Sequence, residues 1–96
     1  MNRIKTAGGL VYQNRNFLFI YKRGIWDFPK GEFKNGDSRE KTALLEVHEE
    51  TGLPLNEIKI LEPLIPTYYI KSINGVPLQK KTWWFLMEFV GDPLIE

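Results

Sequence analysis

The chain contains no cysteine, which excludes disulfides, thiolate metal sites and cysteine nucleophiles. It also lacks an excess of either charge. Thirteen lysines and arginines face twelve aspartates and glutamates, a formal net charge of +1. That excludes a polybasic arm or an acidic tail and leaves no strong nucleic-acid signature, so an anionic ligand has to be held by local arrangement. Long hydrophobic runs are missing too. Trp83–Met87 is among the longest and falls far short of the roughly 20 residues that span a bilayer. Met1–Leu10 carries two basic residues but no apolar core of signal-peptide length. These absences lead us to expect a cytoplasmic chain with no membrane partner. There is no internal repeat and no low-complexity segment.

What is present fits one small domain over residues 1–96. The composition is 43% hydrophobic, 14% aromatic and 26% charged, which suits a globular fold with a modest core. Ile4–Tyr12 and Phe17–Tyr21 read as strands around the polar break Asn14-Arg15-Asn16. Gly8 and Gly9 inside the first strand mark either a bulge or a close approach of another backbone or ligand. Lys22–Gly36 has no single period and is punctuated by Gly24, Pro29, Gly31 and Gly36, as in a long functional loop with short extended pieces.

One helix is clearly signalled over Ser38–Thr51, with Asp37 as N-cap, Glu40 completing a capping box, Gly52 at the C-cap and Pro54 beyond. Ala43, Leu44 and Val47 form its apolar stripe. Ile58–Ile65 and Thr67–Ile73 follow as strands, and Asn74-Gly75 is a type I′ turn signal leading into a long strand from Leu78 to Val90.

The chemistry is concentrated on the helix. At 100° per residue Glu46, Glu49 and Glu50 fall on one side, near the C-terminal end where the dipole disfavours anions. Like charges at this spacing repel by a few tenths of a kcal/mol per pair. A divalent cation relieves both penalties, and oxygen-only ligands favour Mg²⁺ or Mn²⁺ over zinc. A solvated acidic face would carry the same residues. His48 points away from the three carboxylates and reads as a surface side chain.

From Gly31 the chain runs five residues to Asp37 and seven more to Leu45-Glu46-Val47-His48-Glu49-Glu50-Thr51-Gly52-Leu53. This closely resembles the Nudix box: glycine, five residues, glutamate, seven residues, then arginine, glutamate, apolar, any, two glutamates, any, glycine, apolar. Upstream, Trp26-Asp27-Phe28-Pro29-Lys30-Gly31 is similar to the approach to the box in several Nudix hydrolases, diadenosine polyphosphate hydrolases among them. Ala7-Gly8-Gly9-Leu10-Val11 looks like the family's first strand.

Two positions depart from the pattern. Asp37 stands in place of glutamate and keeps the charge. Leu45 stands in place of an arginine that would pair with Glu49 four residues on.

The resemblance implies an α+β fold, a Nudix-like α/β/α sandwich with a mixed sheet. The chain ends soon after the long strand, so the family's last strand and C-terminal helix are expected to be missing. The missing face would then belong to a longer chain or be supplied by a second copy in a homodimer, since a bare sheet face exposes apolar surface.

The implied reaction is metal-dependent hydrolysis of a nucleoside diphosphate linked to another moiety, with a tilt to a dinucleoside polyphosphate or related nucleotide. By the same resemblance Glu46, Glu49 and Glu50 are catalytic residues and metal ligands, with Gly31 adding its backbone carbonyl and Glu49 serving as general base. Lys30 is a candidate phosphate contact; Trp26, Tyr68, Tyr69 and Trp84 are candidates for stacking on a base. The alternative is a nucleotide-binding module of the same fold with impaired turnover, motivated by Leu45 and the short C-terminus.

Overall fold

In the computed structural model, which describes residues 2–94, three two-residue reversals shape the strand pairing. Asn14-Arg15, Arg23-Gly24 and Asn74-Gly75 all have φ between 49° and 79°, the left-handed pair that a type I′ turn requires. They join β1 (Asn2–Gln13) to β2 (Asn16–Phe17), β3 (Ile20–Lys22) to β4 (Ile25–Asp27), and β7 (Thr67–Ile73) to β8 (Val76–Phe89). Between the second and third reversals lie β5 (Lys30–Glu32), the helix α1 (Arg39–Thr51), a 3-10 turn at Leu55–Glu57 and β6 (Ile58–Pro63).

The sheet is mixed. Its centre is a long parallel pair in which Asn2–Tyr12 of β1 runs beside Leu78–Glu88 of β8. β2 and β5 add antiparallel along the free edge of β1, and β6 and β7 follow one another along the free edge of β8. β3 and β4 form a separate two-stranded ribbon.

Alternation along the strands decides what each face does. Ala7 and Val11 of β1 and Phe85, Met87 and Phe89 of β8 are buried with Ala43 and Val47 of α1, and Leu53 and Ile58 close the core. Leu44 packs half-buried against it, so the expected helix stripe is the one that docks. On the opposite face the hydroxyls of Thr6 and Thr82, cross-strand partners, satisfy one another at 2.7 Å. Among the described residues α1 is the sole α-helix, so a helical layer covers one face only. Among the described residues no helix is long and apolar enough to cross a membrane.

Several local expectations are corrected. The helix N-cap is Ser38, not Asp37. Ser38 is extended (φ −70°, ψ 167°) and its Oγ accepts from the Lys41 backbone N–H at 3.1 Å. Asp37 lies one residue outside and pairs with Lys41 Nζ at 3.3 Å. Glu40 is therefore one position too early for a capping box. The Phe17–Tyr21 strand is interrupted, giving β2 and β3, and β6 stops at Pro63 rather than Ile65. His48 is half-buried, not a free surface residue: its Nδ1 donates to the Leu53 carbonyl at 2.7 Å and fastens the chain just past the Gly52 cap (φ 77°).

Neither strand glycine forms a bulge; both allow close approach. A Cβ on Gly8 would strike the Pro29 carbonyl and the Lys30 backbone, while one on Gly9 would strike Met87 and Val47 side chains. Gly8→Ala is therefore expected to destabilise more than Gly9→Ala, because a backbone cannot step aside as a thioether can. Both fall within about 1–3 kcal/mol, read from denaturant midpoints.

Candidate active site

Gly31 lies directly against the Glu46 carboxylate. β5 pairs with β1 through Ala7↔Gly31, and α1 crosses beside it. A Cβ at residue 31 would land on the Glu46 carboxylate, so the approach exists because residue 31 has no side chain.

Burial first, then the Glu49 and Glu50 charges, push the Glu46 carboxyl above its ordinary value, with Lys34 and Lys22 opposing. The repulsion foreseen between the three carboxylates is therefore present in the fold. Each outer one has a lysine beside it: Lys34 Nζ is 3.3 Å from Glu49, and Lys22 Nζ is 4.0 Å from Glu50. Among the described residues no three acidic or histidine side chains converge as a ready-made metal cage. The donor set is nonetheless all oxygen, anionic, and adjoins the open backbone at Gly31, which suits a hard divalent cation.

In front of this lies a cavity of about 520 Å³. Lys30, Gly31, Glu32 and Glu50 line it from β5 and α1; Lys22, Arg23, Ile25 and Asp27 come from the ribbon, and Tyr69, Lys71 and Lys80 from β7 and β8. Lys30 is ion-paired with Asp27, whose other oxygen accepts from the Phe28 backbone N–H at 2.8 Å. Lys80 stands 5.8 Å from the Tyr69 ring centroid.

Of the residues singled out from sequence, Gly31, Glu50, Lys30 and Tyr69 line the cavity, with Glu46 against Gly31. Glu49 shares an adjoining crevice with Glu50 and Lys22. Trp84 lies in a neighbouring apolar cleft with Leu10, Phe28, Leu64 and Thr67, its indole N–H bonded to Thr67. Two candidates are not brought there. Trp26 is 68% exposed on the ribbon against Tyr21, and Tyr68 shares the other sheet face with Lys81. Strand parity separates adjacent tyrosines.

Sequence reading missed Lys22, Arg23, Glu32, Lys71 and Lys80. The loop character of Lys22–Gly36 hinted at the first three; the β7–β8 pair comes together by register alone (Ile70↔Gln79, Tyr69↔Lys80).

Leu45 faces a narrow crevice with Glu32, Lys34, Asp37 and Glu46. Lys34, from the loop, reaches the Glu49 carboxylate that an arginine at 45 would have met.

This fold and box define a class, hydrolases of phosphoric anhydride bonds, and comparison with known proteins agrees. The NUDIX domain model matches residues 2–93, and the chain belongs to that family.

Three solved structures share the fold. The C. elegans Ap4A hydrolase is 24% identical, covering 100% of this chain and 76% of its own, with a TM-score of 0.65. A MutT NUDIX hydrolase from Burkholderia pseudomallei is 20% identical, covering 99% and 74%, at 0.70. A bifunctional NMN adenylyltransferase/ADP ribose pyrophosphatase from Francisella tularensis, solved with AMP and a manganese ion, is 15% identical, covering 98% and 30%, at 0.62.

The raised Glu46 value has a consequence for stability. The folded chain holds this proton to higher pH than the unfolded chain, so the contribution of this group to stability is fully present below the ordinary glutamate range. It falls as pH rises through that range to the raised value. Without metal, Glu46→Gln is expected to flatten this fall and raise the melting temperature at neutral pH, measured by thermal melts across pH 3–8 in chelator.

Proposed function

We propose that this chain is a divalent-metal-dependent pyrophosphohydrolase that cleaves a nucleoside diphosphate linked to a second moiety, by water attack at phosphorus. Its substrate is a dinucleoside polyphosphate or a related nucleotide. The supporting observation is one cavity whose walls join Glu50 and Gly31 to five cations, Lys22, Arg23, Lys30, Lys71 and Lys80. Against the carboxylates of Asp27, Glu32 and Glu50 in the same wall these five leave a net charge of +2, which a bound divalent cation would double, and that sum suits a chain of phosphates. Lys30 holds its phosphate contact while oriented by Asp27. Tyr69 and the Trp84–Phe28 cleft offer aromatic surface to a base.

Glu46, Glu49 and Glu50, with the Gly31 carbonyl, would hold Mg²⁺ or Mn²⁺. When bound, that ion supplies charge neutralisation of the phosphates and a more acidic water. Glu49 is the general base, orienting the attacking water and taking its proton, within reach of the flanking carboxylates. Lys34 is a positioning residue. It holds the Glu49 carboxylate from the loop, where the family pattern does so with the arginine that Leu45 replaces. The whole single domain over residues 1–96 serves this site, in the cytoplasm.

A second reading, a nucleotide-binding module with impaired turnover, rests on Leu45, whose side chain offers Glu49 no hydrogen bond. Incubating the chain with nucleoside diphosphate derivatives, in Mg²⁺ or in chelator, separates the two. We expect metal-dependent cleavage that Glu49→Gln lowers by roughly 10²–10⁴-fold, with Glu50→Gln also impaired. Binding without turnover would favour the module.

Lys34→Met is expected to slow cleavage about two- to fivefold, as the loss of an exposed ion pair suggests, and Leu45→Arg to restore it in that background. Failure of the rescue would remove Lys34 from its role. Saturating Mg²⁺ should raise the melting temperature, by about 2.7 kcal/mol of stability at a hundredfold excess over Kd.

A further inference from the structure

The sheet face opposite the catalytic cavity gathers positive charge and aromatic rings beside the N-terminal end of α1. By register, Lys5 of β1, Lys81 of β8 and Tyr68 of β7 form one row across three strands. Arg3 and Gln79 lie in the next row on one side, and Trp83 on the other. Neighbouring strands are about 4.8 Å apart, so the row is a continuous strip.

Cations and rings alternate along it. The Arg3 guanidinium lies 5.9 Å from the Tyr68 centroid, and Lys81 Nζ lies 5.1 Å from Tyr68 and 4.5 Å from Trp83. Arg39, the first residue of α1, lies 4.5 Å from Trp83 on its own account. Arg3 gives its Nε to Gln79 at 2.8 Å and keeps its terminal nitrogens for another partner.

These four cations lack the carboxylate partners that other lysines of the chain have. Lys22, Lys30, Lys34 and Lys41 each have a carboxylate within 4.0 Å. Among the described residues Arg3, Lys5, Arg39 and Lys81 have none. Arg3, Lys5 and Arg39 are exposed, and Tyr68 is 50% exposed. Four uncompensated positive charges in a chain of net +1 repel one another unless an anion lies across them.

We propose that this strip binds single-stranded nucleic acid. Phosphates along one strand meet Arg3, Lys5, Lys81 and Arg39, and a base stacks on the open part of Tyr68. An acidic peptide would use the cations but not the rings, whereas a single strand uses both in alternation. Net charge concealed the strip because it sums over acidic residues placed elsewhere along the chain.

The test is fluorescence anisotropy of labelled twelve-nucleotide single strands, one RNA and one DNA, titrated with the chain in chelator so that hydrolysis does not intervene. We expect saturable binding to both, weakening with salt at a log–log slope of roughly −2 to −3, as three to four phosphate contacts on a single strand give. Arg3→Gln/Lys5→Gln/Lys81→Gln should lose most of that slope while keeping the unmodified melting temperature. Tyr68→Ala should weaken binding on the order of five- to a hundredfold.

Loss of affinity in the cation variant with none in Tyr68→Ala would make this a general polyanion patch and overturn the proposal. Binding removed by Lys71→Gln/Lys80→Gln but unaffected by the triple variant would assign it to the catalytic cavity and overturn it equally. Equal affinity for RNA and DNA supports a strip that ignores the sugar; a preference for RNA supports one that also reads the 2′-hydroxyl.

Discussion

The Glu46 carboxylate occupies the space where residue 31 would carry a side chain, and the rest of the site is arranged around that contact. It requires β5 to be held against β1, which Gly8 allows by leaving room for the Pro29 carbonyl and Lys30. It requires α1 to sit low on the sheet, which Gly9 allows by leaving room for Val47 and Met87. Three glycines thus have one geometrical purpose, to bring a loop backbone and a helix carboxylate onto the same point. None of them needs the left-handed backbone that glycine is usually called on to supply.

The charges around that point run against what stability alone would select. Three glutamates at the C-terminal end of a helix repel one another and oppose its dipole, and burial first, then the Glu49 and Glu50 charges, hold the Glu46 carboxyl above its ordinary value. Lysines from the loop and the ribbon, not from the helix itself, offset part of it. Lys34 places a positive charge beside Glu49 from outside the helix. It also makes the carboxylate's orientation depend on where the loop lies.

The helix, its box and the strands flanking it were legible in the sequence because each is encoded over a few consecutive residues. The glutamate spacing, the Gly52 C-cap and the Asn74-Gly75 turn are of this kind. The N-cap was displaced by one residue because Asp37 and Ser38 are both good caps, and the extended backbone at 38 decides between them. The reversals at Asn14-Arg15 and Arg23-Gly24 were not legible as type I′ turns, since arginine at positive φ is no turn signal. Nor was it legible which of Tyr68 and Tyr69 turns to the cavity, or that Lys71 and Lys80 approach it. Those follow from the register between β7 and β8, a property of pairing across the turn.

The central parallel pair has a temporal consequence. β1 finds its main partner in β8, a separation of roughly 76 residues all along the ladder, from Asn2↔Leu78 to Tyr12↔Glu88. Parallel strands need a long crossover, and contacts so distant in sequence are slow to form. A nascent chain emerging from its N-terminus therefore carries β1 unpaired along that edge until nearly all the described residues have been made. The hairpins and α1 can form earlier. The sheet that unites them, and with it the meeting of Gly31 and Glu46 on a finished scaffold, comes last.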